Sequence, residues 1–395
     1  MSRQTKRPEI YMDHAAATSI NSEVKKEMAE STKLYGNPSS FNDMGRLAGK
    51  KIDESRATVA RFIGARPEEI VFTSSGSEAN NLAIFGLTDI QFKSGEVITT
   101  PIEHPSVFEP IKLLKKRGWK ITYLEVDSDG LININDFEKK LNPQVVLVSI
   151  IYANNEIGTI QPIKSISKVI SNFRNHKLKI HEKMYPFFHV DACQATGYLD
   201  INVNNLGVDV LTFNGSKIYG PRGIGAFYIR RGVNIRPLIL GGDQEYGLRA
   251  GTENLPAVVG LAKAVSLLGK KEGKRLSELR DYFLDKIQQV LPVRVNGPLG
   301  SSRLPNNINI SIPDLDSENL LLELDKYGIY ASAGSACTAR SVEPSHVLKA
   351  IGVESRYLNG ALRFSLGRQT TKKDIDYVLE VLPKIVGDLR KRYKK

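Results

Sequence analysis

Along most of the chain, short apolar runs alternate with longer stretches of helical period. The runs "EIVFT" (69–73), "EVITT" (96–100), "KITYLEV" (120–126) and "VVLVSI" (145–150) read as strands. So do "FFHVDA" (187–192), "VDVLTF" (208–213) and "GIGAFYI" (223–229). Between them, "SEANNLAIFGL", "PSVFEPIKLLKKRG" and "IKSISKVISNF" carry helical spacing. Strands rich in Val and Ile, apolar on both faces and separated by helices, predict an α/β fold. The expected large domain is a mostly parallel seven-stranded sheet flanked by helices, over residues 15–265.

Beyond Val265 the pattern changes. The amphipathic stretch "KRLSELRDYFLDKIQQVL" leads into "NINISI", "SENLLLELDKYG", "ALRFSLG" and a last helix from about Thr371. This predicts a smaller α+β domain over 266–395, with residues 1–14 packing on it. No Pro/Gly/Ser linker divides the two, so they are expected to pack closely. The polar segment 174–186 reads as a surface insertion. There are no internal repeats.

Composition narrows the class. At 395 residues, 41% hydrophobic and 25% charged, the chain fits a globular enzyme of more than one unit. The apolar run from Val145 is far short of the roughly 20 residues that span a bilayer. The opening "MSRQTKRPEI" has no apolar core of a secretory signal. Two cysteines, Cys193 and Cys337, cannot build a disulfide framework and fit a reducing, cytoplasmic setting. The net charge of +12 gathers partly at the ends, in "SRQTKR" and "LRKRYKK", which read as solvated tails or as a contact for tRNA or an acidic partner. Zinc-ligand spacing, an RNA-recognition aromatic signature and heptads are all missing from the sequence.

In folds of this kind ligands sit beyond the carboxyl ends of the strands. "SSGSEAN" after the first run is either an ordinary cap or a phosphate cradle at a helix N-terminus, with Gly76 and Ser77 as donors. Asp191, closing an apolar strand, is either an N-cap or the partner of a buried cation. Lys217, between a polar turn and the glycines 220, 223 and 225, is either a surface lysine or one projecting into a crevice. His104 is either structural or a group that stacks on a flat ring and shuttles protons. Jointly they fit pyridoxal phosphate, which needs a lysine for its Schiff base and an acid for its ring nitrogen.

Taken with "YGNPSS", "NNEIGTIQPI", "RAGTEN", "SAGSACTA" and "LRFSLGR", these motifs make the chain resemble the cysteine desulfurases over nearly its whole length. That group belongs to the class V aminotransferases, fold-type-I pyridoxal-phosphate enzymes. The resemblance implies that Lys217 is the Schiff-base lysine and that Asp191 pairs with the pyridine nitrogen. It places His104 on the ring as stacking group and candidate base, Gln194 near the phenolic oxygen, and Asn155 beside cofactor and substrate. Arg363 would clamp the substrate carboxylate, and Thr252 would reach the phosphate of a partner subunit, implying a homodimer. Cys337, among small residues in "YASAGSACTARS", would be the mobile nucleophile that takes sulfur from L-cysteine as a persulfide and leaves L-alanine. The expected acceptor is a partner such as an iron–sulfur scaffold, or the tRNA thiolation system. Cys193 reads as a buried small residue.

The chain departs from the family pattern at four places. Asn214 and Ser216 stand where serine and histidine are usual before the lysine, so that Asn214 is the expected phosphate donor. Asp243 replaces a glycine and Asn42 a histidine. Two other readings remain open at this point: a selenocysteine lyase or related class V enzyme, and a weakly catalytic sulfur-delivery subunit.

Overall fold

The computed structural model describes residues 8–88, 94–177, 185–269, 271–334 and 344–393. A short first strand, β1 (Ile10–Tyr11), precedes the seven strands of the main sheet. These are β2 (Ile70–Thr73), β3 (Glu96–Thr99), β4 (Lys120–Tyr123), β5 (Val145–Ile151), β6 (Phe187–Asp191), β7 (Val210–Asn214) and β8 (Gly225–Ile229). Their order across the sheet is β2-β8-β7-β6-β5-β3-β4. Only β8 runs against its neighbours; β2 and β7, each antiparallel to it, point the same way as the other four.

All but the edge strand β4 are buried on both faces, because their side chains alternate between two cores. Ile70, Phe72, Phe188, Val190, Leu211 and Phe213 enter one; Val71, Phe187, Val210 and Phe227 enter the other. The first core is closed by the helices Asp43–Ile63 and Leu255–Ser266, the second by Gly76–Thr88 and Pro105–Lys116.

Later strands are β9 (Arg294–Val295), β10 (Asn307–Ser311), β11 (Ile329–Tyr330) and β12 (Ala361–Ser365). β12, β10 and β9 form a small antiparallel sheet, while β11 pairs in parallel with β1. A separate core joins Ile308, Ile310, Leu362 and Phe364 to the helices Lys271–Val290 and Lys372–Tyr393, and takes in Ile10 and Met12.

One sequence expectation needs correction. The "KITYLEV" run stops being strand at Tyr123, before Leu124. The order of the runs along the chain is also not their order in the sheet: β8 lies between β2 and β7, so the Gly76 cradle reaches Lys217 across an inserted strand.

Candidate active site

The ends of β2, β3, β6 and β7 open onto one cavity of about 230 Å³. Its walls include Gly76, Ser77, His104, Asn155, Asp191, Gln194, Asn214, Lys217 and Arg363. Nine of the residues singled out in the sequence therefore meet in one place. Thr252 is exposed and is not among the lining residues. Cys337 lies outside the described residues, as do 178–184 of the expected insertion and the extreme ends of both basic tails.

Each side chain is held by its element. Asp191 is the last residue of β6 and is 3% exposed. Its Oδ1 accepts the Cys193 N–H at 2.9 Å, and its Oδ2 accepts the Asn80 amide at 2.8 Å. Two donors fix the position of this buried carboxyl at the cavity wall. Lys217 follows the turn after β7, and its Nζ donates to the carbonyls of Ala15 at 2.8 Å and Ala16 at 2.6 Å. The Gln194 amide also donates to Ala15 O, at 2.9 Å. The segment 13–18 thus crosses the cavity and presents carbonyls to it.

Gly76 begins a helix directly after β2, so early helical N–H groups stand at the cavity wall. A Cβ at Gly76 would lie 2.7 Å from Cys193 Sγ and 2.9 Å from Asn214 Nδ2. Asn214 in turn accepts from Ser216 Oγ at 3.1 Å and donates to Cys193 Sγ at 3.5 Å. The two departures before the lysine are therefore bonded to each other. Cys193 lines the cavity rather than filling a core, and burial, followed by the charge of Asp191, pushes its thiol pKa well up. Asn42 caps the helix that starts at Asp43, accepting from Gly45 N at 2.9 Å, while Asp243 is exposed.

Arg363 enters from β12. Its Nη2 pairs with Asp13 at 2.8 Å and its Nη1 donates to Asn155 O at 3.0 Å. Its Nε is buried without a hydrogen-bond partner. A buried guanidinium with an unspent donor suits a carboxylate ligand. His104 caps the helix Pro105–Lys116, and burial lowers its pKa, as do Lys217, His346 and Arg363, against the opposing pull of Asp191. Beside it, Glu103 is fully buried, with Oε1 accepting from Thr100 Oγ1 at 2.6 Å and from Ile151 N at 3.0 Å. Burial pushes its pKa up to about 8.

The donor set fits a phosphorylated pyridine: a helix N-terminus for the anion, a fixed carboxylate for the ring nitrogen, an amine for the aldehyde. Sequence reasoning missed Asp13, Asn80, Ser106 and the Ala15 and Ala16 carbonyls. The signal for Asn80 was available, since a polar residue between Ala79 and Ala83 on a buried helix face needs a partner.

The Aminotransferase class-V family matches residues 10–378. The chain is 45% identical over 388 residues to "Cysteine desulfurase IscS" of Dictyoglomus turgidum, covering 97% of this chain and 95% of that one. It is 44% identical over 389 residues to "Cysteine desulfurase" of a Nostoc species, covering 96% and 94%. Among solved structures, a "NifS-like protein" superposes with a TM-score of 0.88 at 35% identity, covering 96% of this chain and all of that one. "SspA in complex with cysteine" superposes with a TM-score of 0.79 at 34% identity, covering 90% and 98%.

Proposed function

The chain belongs to the aminotransferase class-V family, and from that premise we infer that it is a cysteine desulfurase, taking sulfur from L-cysteine and leaving L-alanine. The observation that carries the reading is the shared cavity of Lys217, Asp191, His104, Gly76, Ser77, Gln194 and Arg363. The family uses pyridoxal phosphate, which when bound supplies a sink for the charge left by a lost α-proton.

Lys217 would be its attachment point, and Asp191 would keep a proton on the ring nitrogen. Gly76, Ser77 and Asn214 would hold the phosphate, Gln194 the phenolic oxygen, and His104 would lie against the ring. Arg363, kept in place by Asp13 and the Asn155 carbonyl, would bind the carboxylate of cysteine. Asn155 would line the substrate side. Cys337 rests on the family resemblance alone: its thiolate would take the substrate sulfur, so that the carbon–sulfur bond of cysteine breaks and the sulfur remains as a persulfide. Delivery to an iron–sulfur scaffold or to tRNA thiolation, a homodimer completed by Thr252, and a cytoplasmic setting belong to the same reading.

The test is purified protein with L-cysteine, following the visible absorbance and alanine together. Wild type is expected to be coloured and to form alanine; Lys217→Ala is expected to lose the colour and Cys337→Ala to lose persulfide and turnover. A colourless wild type, or persulfide trapped on Cys193, would refute the assignment.

A further inference from the structure

One chain of hydrogen bonds links two strand ends at the cavity. Asn80, 1% exposed, projects from the helix Gly76–Thr88. Its single amide nitrogen donates at 2.8 Å to Asp191 Oδ2 and at 2.8 Å to Ser106 Oγ. Both amide hydrogens are then spent, and Ser106 Oγ is an acceptor on that side. Its own hydrogen is left for His104 Nδ1, 2.7 Å away. The backbone N–H of Ser106 also meets Nδ1, at 3.1 Å, as the cap of the helix Pro105–Lys116. A backbone N–H can only donate, so Nδ1 must carry a lone pair and the ring proton must sit on Nε2.

We propose that Asn80 and Ser106 are positioning residues for the desulfuration, holding His104 with its proton on Nε2 and fixing the imidazole relative to the Asp191 carboxylate. The proposal rests on the reading that His104 and Asp191 flank the reacting atoms. Its physical content is that a second proton on His104 can go only to Nδ1, where it ejects both Ser106 donors and uncaps a helix. A cation at a helix N-terminus is disfavoured as well. The charged and titratable groups facing the ring come from four other elements: Asp191 on β6, Lys217 after β7, His346 on the helix His346–Ala350, and Arg363 on β12. Asp191 alone among them favours the second proton, and burial opposes it most strongly. The neighbouring Glu103 turns its carboxyl to Thr100 and Ile151 N, while its carbonyl bonds with His346 Nε2 at 3.0 Å.

The experiment uses the holoenzyme with its histidine rings labelled with nitrogen-15; six histidines keep the spectrum assignable. In wild type His104 is expected neutral, bare at Nδ1 and protonated at Nε2. Ser106→Ala removes one donor to Nδ1, worth up to about one pKa unit. His104 should then take its second proton at a pH higher by up to about one unit, and the acid limb of kcat for alanine formation should move with it. KM for cysteine should hold, and Ser106→Thr, which keeps the hydroxyl, should restore the wild-type spectrum and profile. A wild-type His104 protonated at Nδ1, or a Ser106→Ala protein with unchanged spectrum and profile, would overturn the proposal. A wild type that forms no alanine defeats the desulfurase reading instead, because the label reports the tautomer without turnover.

Discussion

At the scale of single residues, Gly76 is where the site has least room. A methyl group there would press on Cys193 Sγ and on the Asn214 amide, both within 3 Å. Gly76→Ala is therefore expected to weaken cofactor binding by about tenfold or more, since about 1.4 kcal/mol of misfit is a factor of ten. Absorbance titration of the cofactor-free protein with pyridoxal phosphate measures this, with circular dichroism to confirm the fold; an unchanged affinity would remove Gly76 from the cradle. Arg363 offers a second check. Lysine in its place keeps the charge but cannot serve Asp13, Asn155 O and a carboxylate together. Arg363→Lys should raise KM for cysteine about tenfold or more while leaving the visible band in place. Gly76 was legible because its motif follows a strand, and Arg363 through the family resemblance alone. Asn80 was legible only as a buried polar residue in need of a partner; which partner was not, because Asp191 is 111 positions away.

At the scale of elements, the apolar runs located every strand of the large sheet, because six of the seven are buried on both faces and are therefore mostly apolar. That same property hides direction. Ala226 and Tyr228 face one core and Phe227 and Ile229 the other, as they would in a parallel strand, so nothing in "GIGAFYI" marks β8 as antiparallel. The segment 243–247 was also illegible as a structural tie. There Glu245 and Tyr246 take left-handed backbone conformations, with φ of 50° and 61°. The Glu245 carboxylate meets both Arg56 Nη atoms at 2.6 and 2.7 Å and accepts Phe72 N at 2.7 Å. One buried pair thus binds a loop, a helix and β2. Arg56→Ala should cost about 3–5 kcal/mol by stranding the carboxylate. Arg56→Met with Glu245→Leu should recover only part of it, because Phe72 N–H, its acceptor gone, keeps a penalty of about 1–3 kcal/mol. Chemical denaturation of the two variants checks this, and full recovery would show that the Phe72 bond contributes nothing.

At the scale of the whole molecule, its buried titratable groups set a pH optimum for stability, and they pull in opposite directions. His14 and His189 are buried, and burial lowers their pKa from 6.5 to about 4. The unfolded chain therefore holds more protons than the folded one between pH 4 and 6.5, and their contribution to stability is lost as pH falls through that window. Glu103 has the opposite sign. Its folded pKa of about 8 against 4.5 means that the folded protein keeps a proton the unfolded chain gives up, so stability falls as pH rises from 4.5 to 8. Glu156, fully buried and likewise raised, adds to that slope. From 4.5 to 6.5 the carboxyls oppose the histidines, which include His104, whose pKa burial also lowers. Above 6.5 the histidines no longer titrate, and only the carboxyl slope remains. Thermal unfolding of the holoenzyme is thus expected to peak near pH 6.5 and decline toward pH 8. Glu103→Gln keeps the acceptor for Thr100 and Ile151 N but has no proton to lose. It should flatten that decline and raise the midpoint at pH 8 by about 1 °C for each kcal/mol recovered. Parallel curves for wild type and variant from pH 6.5 to 8 would mean that Glu103 is ionised in the folded protein, and that the alkaline limb belongs to other groups.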